Sequence, residues 1–150
     1  MHGLKKPLVH RDLKPANILV DEGRENVYLC DMGLATVKTS LATLTSCGSD
    51  GTASYIFPET ALQRKFGSAS DVWAFGLILV EMATEMRAWG SLVTAVELAT
   101  LLVQSAQPPS LAHVPIHLTS LCGKCLAYSP KDRPTMVRIA ADLREMTIRY

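Results

Sequence analysis

Apolar residues in this chain come as short runs near its start and as longer, helix-spaced stretches beyond its middle. Ile18-Leu19-Val20 and Val27-Tyr28-Leu29-Cys30 are two short apolar runs, and Asp21-Glu22-Gly23 follows the first as a turn signal. That pattern predicts a small β-hairpin. Residues 34–58 are poor in charge, rich in hydroxyls and punctuated by Gly48, Gly51 and Pro58, which predicts a loop. From Ser68 to Met86 the chain is apolar nearly all round, with Val72, Trp73, Phe75, Leu77, Ile78, Leu79, Val80 and Met82. Such a helix is expected to be buried. Ser68 or Ser70 is expected to cap it, with Asp71 in the first turn on the favourable side of the dipole. Three more helices are predicted: Leu92 to Gln104, Ile116 to Tyr128, and Thr135 to Arg149. The last is amphipathic, with Met136, Ile139, Ala140, Leu143, Met146 and Ile148 on its apolar side. The prolines of 105–115 and the run Ser129 to Pro134 separate them. The expected class is mainly α, in one domain over residues 1–150, with a short hairpin.

Composition narrows the picture. Apolar residues make up 48 % of the 150, which argues against disorder. The formal net charge of +1 gives no argument for nucleic acid or an anionic membrane as partner. The longest apolar run, Val72 to Val80, is far shorter than the roughly 20 residues that span a bilayer, so no membrane segment is expected. The first residues are polar and basic, without the apolar stretch of a signal peptide. With four scattered cysteines, a reduced, cytoplasmic compartment is the simplest reading. Met1 to Val9 reads as the tail of something, with Gly3, Pro7 and two lysines that suit a helix end and a loop into His10.

The chemistry concentrates in His10-Arg11-Asp12-Leu13-Lys14-Pro15-Ala16-Asn17 and in Asp31-Met32-Gly33, at the two ends of the predicted hairpin. The first stretch resembles the protein kinase catalytic loop, H-R-D-L-x-x-x-N, at every fixed position. The second resembles D-F-G with Met for Phe. The resemblance continues. Gly51-Thr52 through Tyr55 to Pro58-Glu59 is similar to the ending G-T-x-x-Y-x-A-P-E, with Phe57 for Ala. Ser70 to Gly76 is similar to the S-D-V-W-x-x-G helix signature. Lys14 and Gly51-Thr52 resemble serine/threonine kinases, and the helix signature with Cys125-Leu126, Pro130 and Arg133-Pro134-Thr135 resembles the tyrosine-kinase-like group.

That resemblance implies an α+β kinase-like fold represented by its C-terminal helical lobe. It implies ATP- and Mg2+-dependent phosphoryl transfer to serine or threonine hydroxyls of protein substrates. Such transfer asks the protein for positioning and charge neutralisation. Asp12 would orient the attacking hydroxyl, and Lys14 would place an ammonium on the transferring phosphate. Asn17 and Asp31 would supply hard oxygen ligands to magnesium. Leu19 would form one wall of the adenine site, and Thr52 would hold Asp12 and Lys14. Asp71 would anchor the catalytic-loop backbone, and Glu59 and Arg133 would form a buried ion pair. Arg11 would receive a phosphate on the activation segment, on Ser46 or Ser49 first and Thr45 next. The Gly-rich loop, strand lysine, helix glutamate and adenine hinge of an N-terminal lobe have no counterpart in the sequence. The expected partners therefore include that missing lobe or upstream domains. The alternative function is a truncated, non-catalytic binding or competitor module.

One competing signal lies elsewhere. Cys122-x-x-Cys125 has metal-ligand spacing, and His113 and His117 lie upstream, the elements of a Cys2His2 zinc site. Buried thiols on an apolar helix are the preferred reading.

Overall fold

The hairpin forms where the apolar runs predict it. In the computed structural model, which describes residues 8–31, 55–61, 67–90, 94–104 and 107–148, strands β1 (Ile18–Val20) and β2 (Val27–Leu29) pair antiparallel. The register sets Ile18 opposite Leu29, Leu19 opposite Tyr28 and Val20 opposite Val27. Asp21 builds the turn. Its Oδ1 accepts the Glu25 and Asn26 N–H groups at 2.8 and 3.1 Å, and its Oδ2 accepts the Asn26 amide at 2.7 Å. Those bonds, the Asn26 side chain first, hold the Asp21 carboxyl below its ordinary range. A one-turn 3-10 segment, Pro15–Asn17, leads into β1.

The helical base follows in the order α1 (Pro58–Ala61), α2 (Ser68–Thr84), α3 (Ala95–Gln104), α4 (Ile116–Cys125) and α5 (Met136–Ile148). Helix α2 runs through the middle. Val72, Trp73, Ala74, Leu77, Ile78, Leu79 and Val80 are all buried, as an apolar-all-round helix requires. Helix α4 packs on it, α5 packs on α4, and α3 packs on α1. The main core joins Trp73, Leu77, Leu98, Leu102, Leu121, Cys122, Cys125, Leu126 and Ile139. A smaller cluster of Leu13, Ala74 and Ile78 fastens the catalytic-loop stretch to the same helix.

Gly76 explains how closely α2 and α4 approach. A Cβ there would stand 2.8 Å from the Cys125 Cβ and 3.1 Å from Leu126, so no larger residue fits without movement.

Four sequence expectations need correction. Neither Ser68 nor Ser70 is the cap of α2. Gly67 is, and the Ser70 hydroxyl, inside the first turn, accepts the Gly67 N–H at 3.3 Å. Met82 is 73 % exposed rather than part of the core: it lies on the side of the last turn of α2 that no described element covers. The loop expected to continue through residue 58 ends sooner, since Pro58 opens α1. Helix α4 stops at Cys125, where the sequence pattern continued to Tyr128, and the Leu126 N–H closes on the Cys122 carbonyl. No helix among the described residues is long and apolar enough to cross a membrane. Met32, Thr45, Ser46, Ser49 and Thr52 lie outside the described residues.

Candidate active site

The catalytic-loop stretch is held from below by one carboxylate. Asp71, buried in the first turn of α2, accepts the His10 N–H on Oδ2 at 2.8 Å and the Arg11 N–H on Oδ1 at 2.9 Å. Arg11 sits at φ 67, in the left-handed region, so this backbone turns sharply just before Asp12. A carboxylate on two successive N–H groups stabilises that turn and satisfies donors that would otherwise be stranded. The buried His10 ring bonds the Cys30 carbonyl through Nε2 at 3.0 Å, linking the loop to the residue before Asp31.

Above this frame three polar side chains meet. Lys14 Nζ lies 3.0 Å from Asp12 Oδ2. The Asn17 amide nitrogen donates to the Asp12 carbonyl at 2.8 Å and to Asp12 Oδ2 at 3.3 Å. The Lys14 and Asn17 contacts both fall on one carboxylate oxygen of Asp12, Oδ2. Because Asn17 spends its side-chain nitrogen on Asp12, its Oδ1 is the end of the amide that can accept. The Cys30 N–H donates to the Asn17 backbone carbonyl at 3.0 Å, which brings the Asp31 backbone next to the same group. Asp31 is exposed and also has positive φ, 59. Leu19, on β1, is 53 % exposed beside them.

A magnesium ion fits this donor set. Asn17 and Asp31 offer only hard oxygen donors, on adjoining backbone. Among the described residues no three His, Cys, Asp or Glu side chains gather into a cage. Magnesium is usually held by one or two carboxylates with the remaining positions filled by phosphate and water, so a cage is not required.

A second polar assembly lies under the end of the activation stretch. Glu59, in α1, takes Arg133 Nη1 on Oε1 at 2.8 Å and Nη2 on Oε2 at 3.1 Å, a bidentate pair 74 residues apart in sequence. Both residues are buried. Arg133 spends its other donors on the Ala127, Ala69 and Tyr128 carbonyls and stacks 4.9 Å above the Trp73 ring. Ser70 Oγ adds a 3.3 Å bond to Glu59. Nearby, the Tyr55 hydroxyl donates to Glu81, whose other oxygen accepts the Ala88 N–H at 3.1 Å. Burial, then the Glu81 carboxylate, pushes the Tyr55 hydroxyl above its ordinary value.

The structure thus brings Asp12, Lys14, Asn17 and Asp31 to one end of the hairpin, and it puts Asp71, Glu59 and Arg133 beneath. It does not gather the cysteine–histidine set. Cys122 and Cys125 are fully buried while His113 and His117 are exposed. Sequence reasoning missed the Ser70–Glu59 bond, the Arg133–Trp73 stack, the Tyr55–Glu81–Ala88 link and the packing role of Gly76. Only Gly76 carried a signal: a glycine inside an apolar helix has a packing reason more often than not.

Comparison with known proteins places this geometry. The family model for protein tyrosine and serine/threonine kinases matches residues 2–143. The chain belongs to the protein kinase family. It is 33 % identical over 136 residues to the probable serine/threonine-protein kinase drkB of Dictyostelium discoideum, covering 91 % of this chain and 19 % of that protein. It is 32 % identical over 146 residues to the serine/threonine-protein kinase CTR1 of Arabidopsis thaliana, covering 97 % and 18 %. It is 27 % identical over 145 residues to mitogen-activated protein kinase kinase kinase 7 of Drosophila melanogaster, covering 97 % and 21 %. The chain spans about a fifth of the length of these relatives.

Proposed function

We propose that this chain is the C-terminal lobe of a serine/threonine protein kinase domain and carries the hydroxyl-orienting and metal-binding half of its active site. The observation that carries the reading is the joint placement of Lys14 and Asn17 on one oxygen of Asp12, over a loop backbone clamped by Asp71. Lys14 and Asn17 fix the Asp12 carboxylate, and its other oxygen faces the serine or threonine hydroxyl of a protein substrate. That oxygen accepts the hydroxyl proton as the hydroxyl attacks. Lys14 also offers positive charge to the phosphoryl group in transfer. Asn17 and Asp31 hold magnesium, which when bound neutralises the phosphates of ATP. Leu19 packs against the adenine from below. Thr52 holds Asp12 and Lys14 from the activation segment. Arg11 receives a phosphate on Ser46, Ser49 or Thr45 and so couples modification to the loop.

The same face supports a second reading for the chain taken alone. Leu19, Val20, Val27, Tyr28 and Leu29 are 41–64 % exposed, so the nucleotide has one apolar wall and the triphosphate lies in water. Water screens each charge contact, and magnesium-nucleotide binding is then weak. By itself the chain would be a non-catalytic module. A radiolabelled transfer assay separates the two. A complete kinase domain containing this lobe transfers phosphate, and the isolated 150 residues do not. Transfer by the isolated chain that disappears in Asp12→Asn overturns the need for a second lobe. Absence of transfer from the complete domain overturns the catalytic reading.

A further inference from the structure

A cavity of about 540 Å³ opens at the other end of α2, away from the catalytic loop. Asp71 and Thr84 lie thirteen residues apart on that helix, or roughly 20 Å at the α-helical rise. Val80, Met86 and Ala88 supply apolar walls, and Arg87 and His113 supply polar groups. Its size falls in the range of about 300–1,000 Å³ usual for small-ligand sites, which combine an apolar lining with a few polar groups.

The walls are built in advance. Thr84 Oγ1 donates to the Val80 carbonyl at 2.8 Å and accepts the Met86 N–H at 3.3 Å. The Ala88 N–H is spent on Glu81, and the Gly90 N–H on the Arg87 carbonyl at 3.0 Å. Gly90 has φ 76, a conformation that bends the chain back at the rim. On the facing side Ser110 Oγ accepts the Ala112 N–H at 3.3 Å, and the Val114 N–H bonds the Leu111 carbonyl at 3.1 Å. The lining backbone is therefore fixed by its own hydrogen bonds. The Arg87 guanidinium, whose charge acts on the Tyr55 hydroxyl, and the His113 ring make no hydrogen bond or ion pair among the described residues, and no carboxylate is among the described lining residues. The cavity thus joins an apolar floor to donors without an acceptor, one of them a permanent cation.

We propose that this cavity binds a small amphipathic carboxylate, its apolar body against Val80, Met86 and Ala88 and its anionic head on Arg87 and His113. Arg87 is suited to the head because a guanidinium meets a carboxylate through paired N–H groups. Occupancy has a route to the activation stretch. Ala88 lines the cavity, its N–H holds Glu81, and Glu81 holds Tyr55.

The test uses the 150-residue chain labelled at its methionine methyl groups, titrated with decanoate as probe. Decyltrimethylammonium supplies a similar tail with the opposite head, and acetate supplies the head without the tail. The expected result is a saturable shift of the Met86 methyl with decanoate and none with acetate. The cationic amphiphile binds more weakly, and Arg87→Glu weakens decanoate by about tenfold or more, the loss of a charge-assisted bond. Unchanged Met136 and Met146 methyls, which pack on the core, show that the variant remains folded. Equal binding of both amphiphiles, shifts confined to other methyls, or no shift at all would overturn the proposal.

Discussion

The hairpin and the helical base solve opposite problems. Along α2 and on the inner face of α4, at Leu121, Cys122 and Cys125, the side chains are enclosed, and even charged groups are buried with full sets of partners, as Arg133 is with Glu59 and three carbonyls. On β1 and β2 the apolar side chains apart from Ile18 stay in solvent, and the turn rests on Asp21 and Asn26. The candidate chemistry sits where these regions meet. Asp12 and Lys14 stand on the hairpin side, partly open to water, over a backbone that α2 holds through Asp71. The difference teaches that stability and reactivity are assigned to separate groups, so each can be removed without the other.

The sharpest separation is expected from Asp12→Asn in a complete kinase domain. It keeps the shape and removes the hydroxyl-orienting charge, so kcat should fall by about 10²–10⁴-fold, the usual worth of a positioned acid–base group. The melting temperature should move little. A kcat within a few-fold of the parent would break the assignment. Asp31→Asn should instead weaken magnesium-nucleotide binding, read by calorimetry.

Arg133→Ala should do the reverse. Removing one partner of a buried pair strands the other charge and costs about 3–5 kcal/mol. Urea unfolding should show the loss directly, and an unchanged midpoint would mean that the buried pair contributes nothing. Gly76→Ala should follow, at about 1–3 kcal/mol for overpacking, because its Cβ would press on Cys125 and Leu126. At the other extreme, Tyr28→Ser on the exposed face of β2 should change stability by no more than about 0.5 kcal/mol. A large loss there would erase the contrast between the two regions.

Acidity gives an effect confined to alkaline pH. Burial pushes the Cys125 thiol from an ordinary 9.0 up to about 12, and it raises Cys122 in the same direction. The folded chain therefore keeps a proton that the unfolded chain releases, and stability falls as pH rises. The contribution is complete below pH 9 and is lost on the way to about pH 12. Cys125→Ala should flatten that alkaline slope in urea titrations, and an unaltered slope would place its origin elsewhere.

How much of this was legible in the sequence depended on the range of the signal. The hairpin and α2 were readable because their hydrophobic patterns are local and uninterrupted. Asp12, Lys14 and Asn17 were readable because one short loop carries all three. The Glu59–Arg133 pairing was reachable only through family resemblance, since no local pattern links residues 74 apart. Met82 was misplaced because an apolar-all-round pattern does not say which side of each turn another element covers. The Tyr55–Glu81–Ala88 link had no signal, being made by single residues from three segments.

The Glu59–Arg133 pair also sets an order of events in time. Glu59 emerges early from a growing chain, but the cation that neutralises it lies 74 residues downstream, beyond α2, α3 and α4. Closing so distant a contact is slow relative to winding each helix. Until Arg133 is available, burying Glu59 would leave a bare carboxylate in the interior, which opposes the docking of α1. The bidentate fastening at the end of the activation stretch is therefore expected to close only after Arg133 has docked. Any chain that stops short of Arg133 would keep that stretch unfastened, however complete its catalytic loop.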